Sequence, residues 1–242
     1  MSETISQEDL NSLKDKFKAF IGLRIDWLSI PADALEGFEP SQIAVIINTL
    51  LDAALPQIEY LKVGAANSEK LNNLKLSKPT RTVGQRESYP DYVLDSDHRV
   101  ELKGLFVDNT SLNLKRPPTK REPSARLKEN ITLNDIDSKK DVLLVAAVRL
   151  EKIDNSCVPV VIDIDLFPMI ECIKARDKRL LDSGGKWING MPSVISNNGQ
   201  QKIKKNISLT DNDYEKDTNF GKLKRIPYEP LQSFMKKHGA ID

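Results

Sequence analysis

Cysteine and histidine are almost absent from this chain, with two of each among 242 residues. Two cysteines, Cys157 and Cys172, are too few for a disulfide framework and point to free, buried thiols in a reducing compartment. With His98 and His238 they form no zinc-ligand spacing, so a structural zinc is not expected. Long apolar runs are also missing. The longest, VLLVAAV at 142–148, falls far short of the roughly 20 residues that span a bilayer. The first ten residues, MSETISQEDL, are acidic and lack the basic-then-apolar order of a secretory signal. G-x-S-x-G, P-loop and G-x-G-x-x-G patterns do not occur, so triad hydrolase, NTPase and dinucleotide chemistries have no support.

What is there is globular in composition: 39% hydrophobic, 29% charged, with a mean hydropathy of −0.41. The length suits one sizeable core, or a main domain with an appendage. A net charge of +1 hides a strong asymmetry. Residues 1–59 carry ten acids against four bases, and residues 115–128 carry six bases (Lys115, Arg116, Lys120, Arg121, Arg126, Lys128) against Glu122 alone. Such a split suggests one face made for a polyanion and another turned away from it, although a solvated loop explains a basic run equally simply.

The pattern along the chain starts helical. Ser6 with Asp9 three residues later predicts a capped helix carrying Leu10, Leu13, Phe17, Phe20 and Ile21 on one face. Ser41 predicts the start of a longer helix with Ile43, Ile46, Ile47, Leu50 and Leu51 on one side and Asn48, Asp52 and Glu59 on the other, kinked or ended by Pro56. Residues 64–80 read as loop. Strand patterns follow at 91–95, 99–107, 142–150 and 158–167, with a short helix at 124–131 capped by Ser124. A helix from Leu166 to Leu181 stops at Gly184-Gly185, and PLQSFMKKHG forms a short terminal helix. Trp27 and Trp187 are expected in cores. The order predicts an α/β (α+β) domain, a central mixed β-sheet flanked by helices. One domain over 1–242 accommodates it: N-terminal helices in 1–65, a core over 81–182, and a C-terminal extension over 183–242.

The stretch PDYVLDSDHRVELKGLFV, 90–107, carries the chemistry. Side chains alternate along a strand, so Val100, Leu102 and Gly104 face one way and Arg99, Glu101, Lys103 and Leu105 the other. A hairpin sets its strands about 5 Å apart, which brings Asp91 towards Glu101 and Lys103 if the register permits. Two carboxylates and a backbone carbonyl are the hard oxygen ligands that Mg²⁺ prefers, with positions left for water and phosphate. A neighbouring lysine orients the attacking water or steadies charge building on the phosphate. The competing reading is a cross-strand ion pair on an exposed hairpin face.

Pro90-Asp91, nine intervening residues, then Glu101-Leu102-Lys103 resembles the signature of the PD-(D/E)XK nucleases, the superfamily of most type II restriction endonucleases. The resemblance covers the motif directly and the order of elements over about 81–165 more loosely. It implies a restriction-endonuclease-like core, with Asp91 and Glu101 as metal ligands, the Leu102 carbonyl as a backbone ligand, and Lys103 positioning water. Some members add an upstream acid, for which Glu87 and Glu59 are the candidates. It further implies a Mg²⁺-dependent, cytoplasmic, prokaryotic enzyme. Such an enzyme cuts double-stranded DNA at a short sequence as a homodimer, without membrane association. Asp137-Ser138-Lys139 also fits the short motif but lies in polar, turn-like sequence. The basic run after the Glu-x-Lys strand (Lys115, Arg116, Lys120, Arg121, Arg126, Lys128) suits phosphate contacts beside a metal site. A structure-specific repair nuclease of the same superfamily and a non-catalytic DNA-binding module are the alternatives. Asp163 and Asp165 are either a second metal pair or the exposed face of a strand, and His98 is taken as a solvent-exposed turn residue. Basic clusters KIKK (202–205) and KLKR (222–225) remain unassigned.

Overall fold

The computed structural model describes residues 4–25, 29–54, 74–79, 89–95, 97–118 and 123–241. Helix α1, Gln7–Phe17, begins as its sequence predicts. The Asp9 backbone N–H donates to Ser6 Oγ at 3.0 Å, and Ser6 Oγ donates to the Asp9 carboxylate at 2.6 Å. Its buried face is Leu10, Leu13 and Phe17, and a 3-10 turn carries the chain on through Phe20. Helix α2 runs Pro40–Ala54, burying Ile43, Ile47 and Leu51. The expected kink at Pro56 lies outside the described residues, as do Glu59, Glu87, Lys120, Arg121 and Trp27.

Six strands form the central sheet: β1 Ile30–Pro31, β2 Leu76–Ser77, β3 Tyr92–Leu94, β4 His98–Phe106, β5 Asp141–Ile153 and β6 Ser156–Pro168. Their spatial order is β1-β6-β5-β4-β3-β2. Strands β4 and β5 run parallel, and every other neighbour pair is antiparallel. The sheet is therefore mixed, and helices cover both faces, as the α/β (α+β) reading requires. Val142, Leu144, Ala146 and Val148 of β5 point into one core with α1 and α2. Leu143, Val145 and Ala147 point into a second core with Leu105, helix α3 (Met169–Asp182) and the terminal helix. Burial on both faces explains the unbroken apolar run of β5.

The C-terminal extension holds a second sheet that the sequence reading lacked. Strands β7 (Lys186–Ile188), β8 (Met191–Ile195) and β9 (Tyr214–Lys216) pair antiparallel, with helix α4 (Asn197–Lys204) between the last two. Asn189 and Gly190 turn the first hairpin with φ of 50° and 75°, the left-handed pair that an Asn-Gly dipeptide favours. Helix α5, Glu229–Lys237, then packs Leu231, Phe234 and Met235 into the second core. Cys157 and Cys172 are free and buried, as expected.

Three expectations need correction. Residues 124–131 form no helix. Leu127 N–H donates to the Gly221 carbonyl at 2.8 Å, and Leu223 N–H donates to that of Ala125 at 3.0 Å. The buried Arg176 guanidinium takes the carbonyls of Lys128 and Ile131 at 2.6 and 2.9 Å. These tertiary bonds outweigh the local capping signal of Ser124. Gly221 permits the approach: at φ +71°, an added Cβ would stand 1.8 Å from the Leu127 carbonyl oxygen. Trp187 is not in a core but 37% exposed, its ring edge-on to Phe220. Residues 76–77, read as loop, form the edge strand β2.

Asp141 fastens the parallel pair where β5 begins. Its buried carboxylate accepts from Arg99 of β4 at 2.8 and 2.5 Å and from the Asp137 backbone N–H at 2.8 Å. Removing one member of a buried ion pair strands its partner. Asp141→Ala is expected to lower unfolding free energy by about 3 kcal/mol in urea titration; a loss under ~1 kcal/mol would contradict this role.

Candidate active site

Strand β3 is short, and this shapes the site. It pairs with β4 only at Tyr92–Val100, Val93–Arg99 and Leu94–His98. Beyond Val100, β4 keeps its partner β5 through Phe106 but, among the described residues, has no strand on its other side. Asp91 stands one step before β3, opposite Glu101 when the register is continued. It does not begin the strand, as the sequence suggested, but its carboxylate continues the ladder. Leu102 N–H donates to Asp91 Oδ2 at 2.9 Å, where a strand carbonyl would otherwise accept. The N–H and C=O of one strand residue leave on the same side, so the Leu102 carbonyl also faces this open edge.

Residues opposite each other across a pair share a face of the sheet. Asp91, Glu101 and Lys103 therefore converge. Lys103 Nζ lies 2.6 Å from Glu101 Oε1 and 3.7 Å from Asp91 Oδ2. Glu101 is only 5% exposed, because its β5 neighbour Leu143 and the second core lie beneath it. Burial raises the Glu101 carboxyl above its ordinary value; Lys103 pulls it back, and the Asp91 charge pushes it up again. Net, the ion pair does not repay the desolvation. The ion pair of the competing reading is present, but it is sunk below the surface rather than on an exposed hairpin face.

The site opens into a cleft of about 260 Å³ lined by Asn48, Asp52, Lys78, Asp91, Lys103 and Ala125. A larger cleft of about 730 Å³ runs on from it, sharing Asn48, Gly104 and Ala125. Helix α2 supplies the wall. Asp52 accepts from Tyr92 Oη at 2.6 Å and from Lys78 Nζ at 2.9 Å. Asn48 Oδ1 is buried and has no hydrogen-bond partner among the described residues. The sequence signal for both was the polar side of the second helix, which faces this cleft rather than open solvent.

The donor set suits a hard divalent cation. Two carboxylates converge with a backbone carbonyl, and Mg²⁺ is commonly held by one or two carboxylates with water filling the rest. A cation would also relieve the repulsion between Asp91 and the buried Glu101. Among the described residues no group of three or more His, Cys, Asp or Glu side chains converges.

The basic residues divide. Arg116 is held by Asp108 through two bonds of 2.8 and 3.0 Å and by the carbonyls of Leu112 and Asn109, so its fork pins its own loop. Lys115 is exposed, with no carboxylate partner among the described residues. Arg126 and Lys128 lie on the extended segment that follows the cleft-lining Ala125. Asp163 and Asp165 each meet basic groups: Asp165 meets Lys14 at 2.7 Å, and Asp163 meets Lys237 and His238 at 2.7 and 2.8 Å. His98 sits in β4, its Nδ1 3.1 Å from the Lys140 carbonyl. Asp137-Ser138-Lys139 is a turn before β5. Comparison with models of protein families, with curated proteins and with solved structures finds no match. Among the described residues no helix is long and apolar enough to cross a membrane.

A carboxyl raised in the folded state binds its proton more tightly there than in the unfolded chain. Ionising Glu101 therefore costs stability as pH climbs from the ordinary glutamate range through the folded value, and the full cost persists above it. Near neutral pH and without divalent cation, Glu101→Gln is expected to melt at a higher temperature than wild type. Added Mg²⁺ or Mn²⁺ should raise the melting temperature of wild type alone. A variant that melts lower, or gains as much from the cation, would refute this.

Proposed function

We propose that this protein is a Mg²⁺-dependent endonuclease of the restriction type that hydrolyses phosphodiesters in double-stranded DNA. The observation that carries the reading is the convergence of Asp91, the buried Glu101 and Lys103 on an open strand edge. It is also what the Pro-Asp…Glu-x-Lys resemblance implies for these three positions.

Asp91 Oδ1, the Glu101 carboxylate and the Leu102 carbonyl would hold the cation. Bound there, Mg²⁺ would supply Lewis-acid polarisation of the phosphate and a more acidic water. The chain's own residues do the rest. The Asp91 side chain is fixed by Leu102 N–H, so its second oxygen stays aimed along the edge. Lys103 is held between two carboxylates, where its ammonium can orient the attacking water and offset charge gathering on the phosphate oxygens. In-line attack breaks the P–O3′ bond and leaves a 5′-phosphate. Lys115, Arg126 and Lys128 lie in the segments that flank the cleft and suit phosphate contacts. Cutting both strands of a palindromic site requires two such centres, which a homodimer about a two-fold axis provides.

Incubation with unmethylated plasmid tests the reading. Discrete fragments are expected with Mg²⁺ and none with EDTA. Asp91→Ala and Lys103→Ala should each slow cleavage by about a hundred- to ten-thousand-fold. Cleavage only of branched or flapped DNA would indicate a structure-specific nuclease of the same chemistry. Intact DNA of every kind, with a folded protein, would sink the catalytic reading.

A further inference from the structure

We infer that helix α4 is the element with which this protein reads DNA sequence, its exposed amides hydrogen-bonding adenine edges in the major groove. The inference rests on the DNA-cleaving reading above and deepens it.

Asn197, Gln200, Gln201 and Lys204 stand at i, i+3, i+4 and i+7, so they share one face of the helix. All four are exposed, and none has a side-chain partner among the described residues. Asn198 and Lys205 flank the same exposed surface. The opposite face does the packing. Lys202 Nζ meets the buried Asp213 carboxylate at 2.7 Å, and Ser196 Oγ caps Gly199 N–H at 3.2 Å while donating to the Asp213 carbonyl at 2.9 Å. Gly199 lets the backbones close up, since a Cβ there would sit 2.5 Å from that carbonyl oxygen. The Lys202 hydrogen bond, above other causes, holds the Asp213 carboxyl down at about 2.

An eight-residue helix whose first three residues are Asn, Asn and Gly has little intrinsic stability. It exists because one face is clamped. The other face makes no side-chain bond among the described residues, and it carries no carboxylate. It is a row of three amides ending in Lys204. An Asn or Gln amide donates and accepts at once, which matches the N6/N7 edge of adenine. Residues 196–210 contain Lys202, Lys204 and Lys205 and no acid, so the charge suits a polyanion. A major groove is wide enough to admit an α-helix.

The module is also tied to the catalytic edge. From β9, Lys216 reaches Glu129 at 3.5 Å, and the chain then pairs through Gly221 and Leu223 with Leu127 and Ala125. Ala125 lines the cleft beside Lys103. A contact made by α4 is thereby linked to the position of the scissile phosphate.

The test uses the full-length protein and a pool of randomised duplex DNA, read by binding selection and by cleavage. Compared are wild type, Asn197→Ala/Gln200→Ala/Gln201→Ala, and Lys204→Ala/Lys205→Ala, all checked for unchanged thermal melting. Wild type should enrich a fixed sequence containing adenine. The amide variant should lose about tenfold or more discrimination at those adenines, while the lysine variant binds more weakly on every sequence and keeps the preference. An amide variant with the wild-type preference would overturn the inference and leave the nuclease reading standing. Enrichment lost in the amide variant, with no cleavage by wild type, would overturn the nuclease reading alone. No enrichment by wild type would overturn the inference whether or not DNA is cut.

Discussion

A three-residue strand beside a nine-residue strand is the constraint on which this structure turns. Strand β3 leaves β4 after Val100, while β5 stays paired as far as Phe106. Among the described residues, the backbone of β4 then has one satisfied edge and one open edge. Leu102 N–H finds its acceptor in the Asp91 carboxylate, and that single bond brings an acid to the place where β3 stops. The same register sets Glu101 and Lys103 on the face of Asp91, above the second core. Convergence of the three groups follows from strand length and pairing.

The arrangement is costly by ordinary folding rules. A carboxylate is sunk to 5% exposure beside another carboxylate, with one lysine between them. Buried charges that are imperfectly compensated recur where chemistry requires them. Other buried charges are met more fully: Asp141 by Arg99, Arg176 by two carbonyls, Asp213 by Lys202 and a capping threonine, although Asp217 keeps one oxygen without a hydrogen-bond partner among the described residues. What sets Glu101 apart is the second carboxylate, Asp91, that shares its lysine. Asn48 Oδ1, buried without a partner on the same cleft, is a smaller exception nearby.

Much of this was legible in the sequence, for reasons that differ by element. The runs that became β5 and β6 were plain because burial on both faces removes polar interruptions. Helix α1 was plain because Ser6 and Asp9 make a local cap. Glu101 and Lys103 could be placed on one face from alternation alone, and Asp91 opposite them from hairpin spacing. The depth of Glu101 could not, because it depends on Leu143 and the second core, contributed by distant segments. The 124–131 segment misled because its helix-start signal is local, whereas Gly221, Leu223 and Arg176 claim its backbone from afar. Strands β7 to β9 are three to five residues long, too short for alternation to show, though Asn189-Gly190 was a visible turn signal. Arg116 was grouped with DNA-contacting bases by charge alone; its Asp108 partner shows that a basic run mixes structural and free cations.

The central claim is that the open edge of β4 is a cation site. Anomalous diffraction from crystals grown with Mn²⁺ and a duplex oligonucleotide tests it most directly. The account predicts a peak bonded to Asp91, Glu101 and the Leu102 carbonyl at about 2.1–2.2 Å, absent from the Glu101→Gln crystal. Wild-type crystals with Mn²⁺ bound elsewhere, or with Lys103 still bridging the two carboxylates and no ion between them, would contradict it.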